Sequence, residues 1–68
     1  MKVRILEDIR TCAVNRPHVV LRIDAGEIVE VKQESEDLGK FTLFSITDAG
    51  GNYIYVYAWE FTSATTGA

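Results

Sequence analysis

From residue 53 to residue 58 the chain alternates without a break: Tyr53, Tyr55 and Tyr57 hold one set of positions, and Ile54, Val56 and Ala58 hold the other. Successive side chains of a strand point to opposite faces, whereas a helix groups its apolar residues at three- and four-residue spacing. A run of this period is therefore a strand. The same period recurs at Val3 and Ile5, at Val19, Leu21 and Ile23 against Val20 and Arg22, and at Val29 and Val31 against Glu30 and Lys32. Residues 41–47 read as a further strand with Phe41 and Leu43 on one face and Phe44 and Ile46 on the other. Between these runs stand turn signals. Gly26 serves Asp24–Glu27, a polar loop spans Glu34–Lys40, and Asp48-Ala49-Gly50-Gly51-Asn52 is a glycine-bearing hairpin loop. Residues 9–14 stay open, and Pro17 pushes Arg16 toward extended geometry. No window favours a helix, because β-branched and aromatic residues dominate the apolar set.

Five or six short antiparallel strands in 68 residues leave bare edges unless the sheet closes or nearly closes. The expectation is an all-β chain forming a small barrel over residues 1–63, a single domain, followed by a small polar tail at 64–68 that frays. Cys12 is the only cysteine, so no disulfide framework supports so short a chain. A lone thiol is the pattern of a reducing compartment. The charged start, Met1-Lys2-Val3-Arg4-Ile5-Leu6-Glu7-Asp8, does not read as a secretory signal, and no apolar run approaches membrane-spanning length. Those features predict a cytoplasmic protein.

The order of strands and loops resembles an SH3-like barrel of the bacterial type. Residues 19–31, with alternate apolar positions ahead of Gly26-Glu27 and a Val-rich strand, resemble the family's diverging turn. Residues 41–61 resemble its central hairpin, short helical turn and last strand. The layout extends over about residues 2–63, and it implies the fold rather than a ligand. Family members that bind proline-rich peptides carry aromatic rings in the first long loop, a tryptophan opening the third strand, and a proline and a tyrosine near the last turn. Here the first loop has no aromatic, Phe41 stands at the tryptophan position, Ala58 replaces the proline and Glu60 falls near the tyrosine. These departures speak against polyproline recognition.

Catalytic and metal chemistry find little to work with. Cys12 and His18 are the only residues of their kinds, too few for a nucleophilic pair with an orienting third group or for a zinc site. Glu34, Glu36 and Asp37 read as a solvated loop rather than a calcium cage. Gly50-Gly51 lacks the lysine and helix of a phosphate loop. The expectation is a non-enzymatic protein without cofactor or metal.

The aromatic ladder is the feature that points to function. Tyr53, Tyr55, Tyr57 and Trp59, extended across the hairpin by Phe44 and Ile46, form the expected contact face for a protein partner or a second copy. This fits a small regulatory or inhibitory protein of a bacterium or phage. Charge offers an alternative. Up to Arg22 there are five cations, Lys2, Arg4, Arg10, Arg16 and Arg22, against two acids, while the rest of the chain holds eight acids and two lysines. The basic third would be the nucleic-acid surface, yet the total of −3 and the absence of Lys or Arg among the tyrosines disfavour that role. A third reading makes the acidic part a docking surface within a larger assembly.

Overall fold

A computed structural model describes residues 1–63. The chain is all-β. Eight short strands, β1 (Lys2–Ile5), β2 (Ile9–Cys12), β3 (Val20–Ile23), β4 (Ile28–Glu30), β5 (Lys32–Gln33), β6 (Leu43–Thr47), β7 (Tyr53–Tyr57) and β8 (Phe61–Ser63), are interrupted by two 3₁₀ turns, Gly39–Phe41 and Ala58–Glu60. The expected tail at 64–68 lies outside the described residues.

All pairings are antiparallel, in three sheets: β4-β1-β8, β2-β3 and β5-β6-β7. Among the described residues the antiparallel, all-β expectation is met, and no sheet closes on itself into a complete barrel. The count also exceeds the five or six strands expected. One reason is visible at Val31, which separates β4 from β5. Its N–H donates to the Met1 carbonyl at 2.8 Å, continuing the β1 ladder, and the next residue, Lys32, pairs with Ser45 of β6. Residues 28–33 are thus one extended run that passes from the first sheet to the third, as strands do at the corner of two crossed sheets.

Four strands supply most of the core. Val3 and Ile5 of β1, Leu21 and Ile23 of β3, Phe44 and Ile46 of β6, and Ile54 and Val56 of β7 meet Ala13 and Val31 in a single core. Phe61 packs edge-on against Phe44 with ring centroids 5.0 Å apart. The hairpin loop 48–52 is held by Asp48, whose carboxylate accepts from the backbone N–H of Gly50 and of Asn52 and from the Asn52 amide. Gly51 sits at φ +84°, a region that a side chain makes costly.

Phe41 is not in a strand. Gly39, at φ +66°, starts a 3₁₀ turn, and the Thr42 hydroxyl locks it by accepting from the Leu38 N–H at 2.8 Å and lying 2.8 Å from the Gly39 carbonyl. β6 therefore begins at Leu43, and Phe41 is carried out of the sheet. No helix among the described residues is long and apolar enough to cross a membrane.

Candidate interaction surface

The register of the β6–β7 hairpin decides which aromatic residues share a face. Phe44 lies opposite Val56 and Ile46 opposite Ile54, while Leu43, Ser45 and Thr47 lie opposite Tyr57, Tyr55 and Tyr53. Directly opposed residues share a face. Phe44 and Ile46 therefore belong with the core row, and they are 8% and 5% exposed. The expectation that they extend the tyrosine patch is corrected: they close the interior beneath it. Counting back from the Asp48–Asn52 loop gives the same pairing, so the signal was present in the sequence.

The tyrosines do face outward. Tyr55 and Tyr57 are exposed and Tyr53 is half-buried. Tyr53 and Tyr55 meet edge to face at 5.7 Å. Proximity to Tyr53 is the main reason the Tyr55 phenol ionises above its ordinary value of 10.0, helped by partial desolvation and by the nearby Glu34. Glu34 reaches this face by accepting from the Ser45 hydroxyl at 2.6 Å.

At the end of β7 the ladder turns a corner. The second 3₁₀ turn is fastened by the Tyr57 N–H donating to the Glu60 carboxylate at 2.7 Å, which brings Trp59 back over Tyr57. Their rings stack at 4.5 Å with planes 20° apart. Phe41, delivered by the other 3₁₀ turn, meets Trp59 edge-on at 5.4 Å, with the Lys40 ammonium 5.4 Å from the Phe41 ring. Phe41 is 54% exposed and Trp59 48% exposed. Sequence reasoning missed Phe41 as a surface residue because it placed the ring inside a strand. The Gly39-Lys40 pair just ahead of it was the available clue.

The two ends of the β7 backbone edge are covered by the chain's own groups. Val14 N–H donates to the Tyr53 carbonyl at 2.7 Å, the Tyr53 N–H donates to Asn15 Oδ1 at 3.2 Å, and Glu60 takes the Tyr57 N–H. Such cover blunts an edge against pairing with other chains.

The basic set does not gather into one cluster that the contacts define. Arg10 and Arg22 are directly opposed across β2–β3, and Arg22 Nε lies 3.4 Å from Asp24 Oδ1. Lys2 is opposed to Glu30, whose carboxylate also pairs with the terminal amine of Met1. Arg16 donates to Asn52 Oδ1 at 3.2 Å, with Arg4 on the outward side of β1. Cys12 is exposed on β2 and His18 is exposed in the loop after it. Among the described residues no three His, Cys, Asp or Glu side chains converge as a metal cage would require. Glu34 and Asp37 are engaged locally, Asp37 by accepting from the Gly39 N–H.

Comparison with known proteins finds no matching family model, no matching curated protein and no matching solved structure.

Proposed function

We propose that this chain is a non-enzymatic protein-interaction module with an SH3-like layout, acting through the surface of Phe41, Tyr57 and Trp59 with Tyr55 and Tyr53 beside it. The observation that carries the reading is the cluster of three rings standing outside the core, Trp59 stacked on Tyr57 and met edge-on by Phe41. Large apolar rings held in fixed geometry and half in water are the composition of an interface hot spot, since little side-chain freedom is lost when a partner covers them. Five rings on one side of a chain this small also exceed the scattered apolar exposure normal for a monomer. Support for the layout comes from the turn at Asp24–Glu27, the β6–β7 hairpin, and a 3₁₀ turn leading into β8. The expected setting is the cytoplasm.

Affinity capture from lysate of the source organism, comparing the natural chain with Trp59→Ala and Phe41→Ala, tests the proposal. A hot-spot ring is worth about 2 kcal/mol or more, roughly thirtyfold in affinity, so both variants should lose the captured partner while keeping the parent's far-ultraviolet circular dichroism spectrum. Light scattering then separates a foreign partner from a second copy. Equal capture by all three proteins refutes the reading. The opposed Arg10 and Arg22 are the one observation favouring nucleic acid instead. Salt-sensitive retention of single-stranded DNA or RNA, lost in Arg10→Glu and kept in Trp59→Ala, would replace the proposal with that alternative.

A further inference from the structure

β3 and β4 leave the two ends of one turn, Asp24–Glu27, and join different sheets. Between them lies a cleft of about 410 Å³, bounded by residues 20–23, by Val29 and Glu30, and by residues 46–48. Its size falls within the range of sites that hold ligands. Leu21, Ile23 and Ile46 are buried and Val29 is half-buried beneath it, so the floor is apolar.

The walls are backbone. In an antiparallel pair, opposed residues alternate between exchanging both N–H···O bonds and exchanging none. Ala13 N–H donates to the Val19 carbonyl at 2.8 Å. Leu21 and Ile23 therefore bond to β2, and the N–H and C=O groups of Val20 and Arg22 point away from β2, toward the cleft. The facing wall repeats the pattern. Ile5 N–H donates to the Glu27 carbonyl at 3.0 Å and Val31 N–H to the Met1 carbonyl at 2.8 Å. Residues 27, 29 and 31 thus face β1, and Ile28 and Glu30 turn their backbone groups the other way. Among the described residues, none of these four has a backbone partner on its outward side. The fold covers the two ends of the β7 edge with three bonds of its own and leaves these two edges open over an apolar floor.

That arrangement specifies its occupant. Val20 and Arg22 offer donor and acceptor groups about 6.8 Å apart, two strand residues at roughly 3.4 Å each. An extended polypeptide matches this repeat along its own backbone and sends every second side chain to the floor. The charges at the rim are already engaged: Arg22 with Asp24, Glu30 with the terminal amine, Asp48 with its own loop. A segment of low charge is therefore favoured. We infer that the cleft takes an extended, uncharged peptide segment of a partner protein, which adds as a strand to the edge of β3 through Val20 and Arg22 and lays alternate apolar side chains over Leu21, Val29 and Ile46. This site is separate from the aromatic surface.

The test is selection of a randomised short-peptide display library on the whole chain, followed by amide NMR with the selected peptide. Selected peptides should alternate apolar residues and shift the amides of Val20 and Arg22. Val20→Pro, which removes an N–H with no partner on that edge, should weaken binding about tenfold, the effect of one hydrogen bond. Methylating the peptide's central backbone nitrogen should do the same without touching the protein, so the result stands even if Val20→Pro folds poorly. Trp59→Ala should bind the peptide unchanged, which keeps this outcome distinct from that of the aromatic surface. Failure to select any peptide, shifts confined to Tyr57 and Trp59, or indifference to backbone methylation overturns the inference.

Discussion

Replacing Phe44 with alanine should nearly unfold this chain, while the same change at Tyr55, across the same hairpin, should be mild. Phe44 is 8% exposed, packs edge-on against Phe61 and lies opposite Val56 in the core row. Truncating a buried phenylalanine costs about 3–5 kcal/mol, a range that takes in the cavity left behind, and the aromatic pair adds about 0.5–1.5 kcal/mol. A domain of 68 residues has roughly 3–10 kcal/mol of total stability at the usual 0.05–0.15 kcal/mol per residue. One ring therefore accounts for a large share of the whole. At about 4–8 °C per kcal/mol for domains of this size, Phe44→Ala should melt at least about 12 °C below the parent. Tyr55 is 45% exposed, and its truncation leaves no enclosed cavity, so Tyr55→Ala should shift melting by no more than about 8 °C, the equivalent of about 1 kcal/mol. Thermal melts followed by far-ultraviolet circular dichroism, with urea titrations to convert midpoints to free energy, read both. If Phe44→Ala melts within about 4 °C of the parent, a shift worth about 1 kcal/mol or less, or if Tyr55→Ala falls as far as Phe44→Ala, the assignment of the two faces is wrong.

Two further outcomes follow from the hairpin end. The Asp48 carboxylate is held below its ordinary value of 3.8, first by the Asn52 side-chain amide and then by the Asn52 and Gly50 backbone N–H groups, with Arg16 nearby. A lowered folded-state value means that the stabilisation is complete above 3.8 and is lost as pH falls through the lower folded value, so Asp48→Asn should flatten the acid limb of a stability-against-pH curve, and an unchanged limb would contradict it. Asn15 bonds both the Gly51 carbonyl and the Tyr53 N–H, so Asn15→Ala combined with Glu60→Ala removes two of the three bonds on the β7 edge and should raise thioflavin-positive aggregation on warming; a variant as soluble as the parent would show that those bonds do not guard the edge.

The alternation at 53–58 was readable because it offers two chemically different rows, small aliphatic against aromatic, and the aliphatic row is the one a small core accepts. Residues 41–47 offered no such contrast. Phe41, Leu43, Phe44 and Ile46 are apolar on both sides, so periodicity alone did not choose between them. Two influences outside the strand did: the loop that sets register with Ile54 and Val56, and the Thr42 hydroxyl that ends the 3₁₀ turn and leaves Phe41 outside the sheet. The split of residues 28–33 between two sheets was likewise invisible locally, since Val31 looks like any inward valine and its special role lies in the bond to Met1. The three-ring cluster has the same origin. Each ring was plain in the sequence, but it takes two 3₁₀ turns, some twenty residues apart, to bring Phe41 and Trp59 into contact.

The position of β1 in the middle of its sheet, between β4 and β8, sets a schedule for folding during synthesis. Val3 can meet Val29 early but must wait for Ser63 before its second side is paired. At ribosomal rates of about 5–20 residues per second, the wait from Val29 to Ser63 is roughly 2–7 s, as long as or longer than the milliseconds to seconds in which small β domains fold once complete. For that interval the emerging chain holds an apolar strand with one bare side, open to misassociation until β8 arrives to cover it.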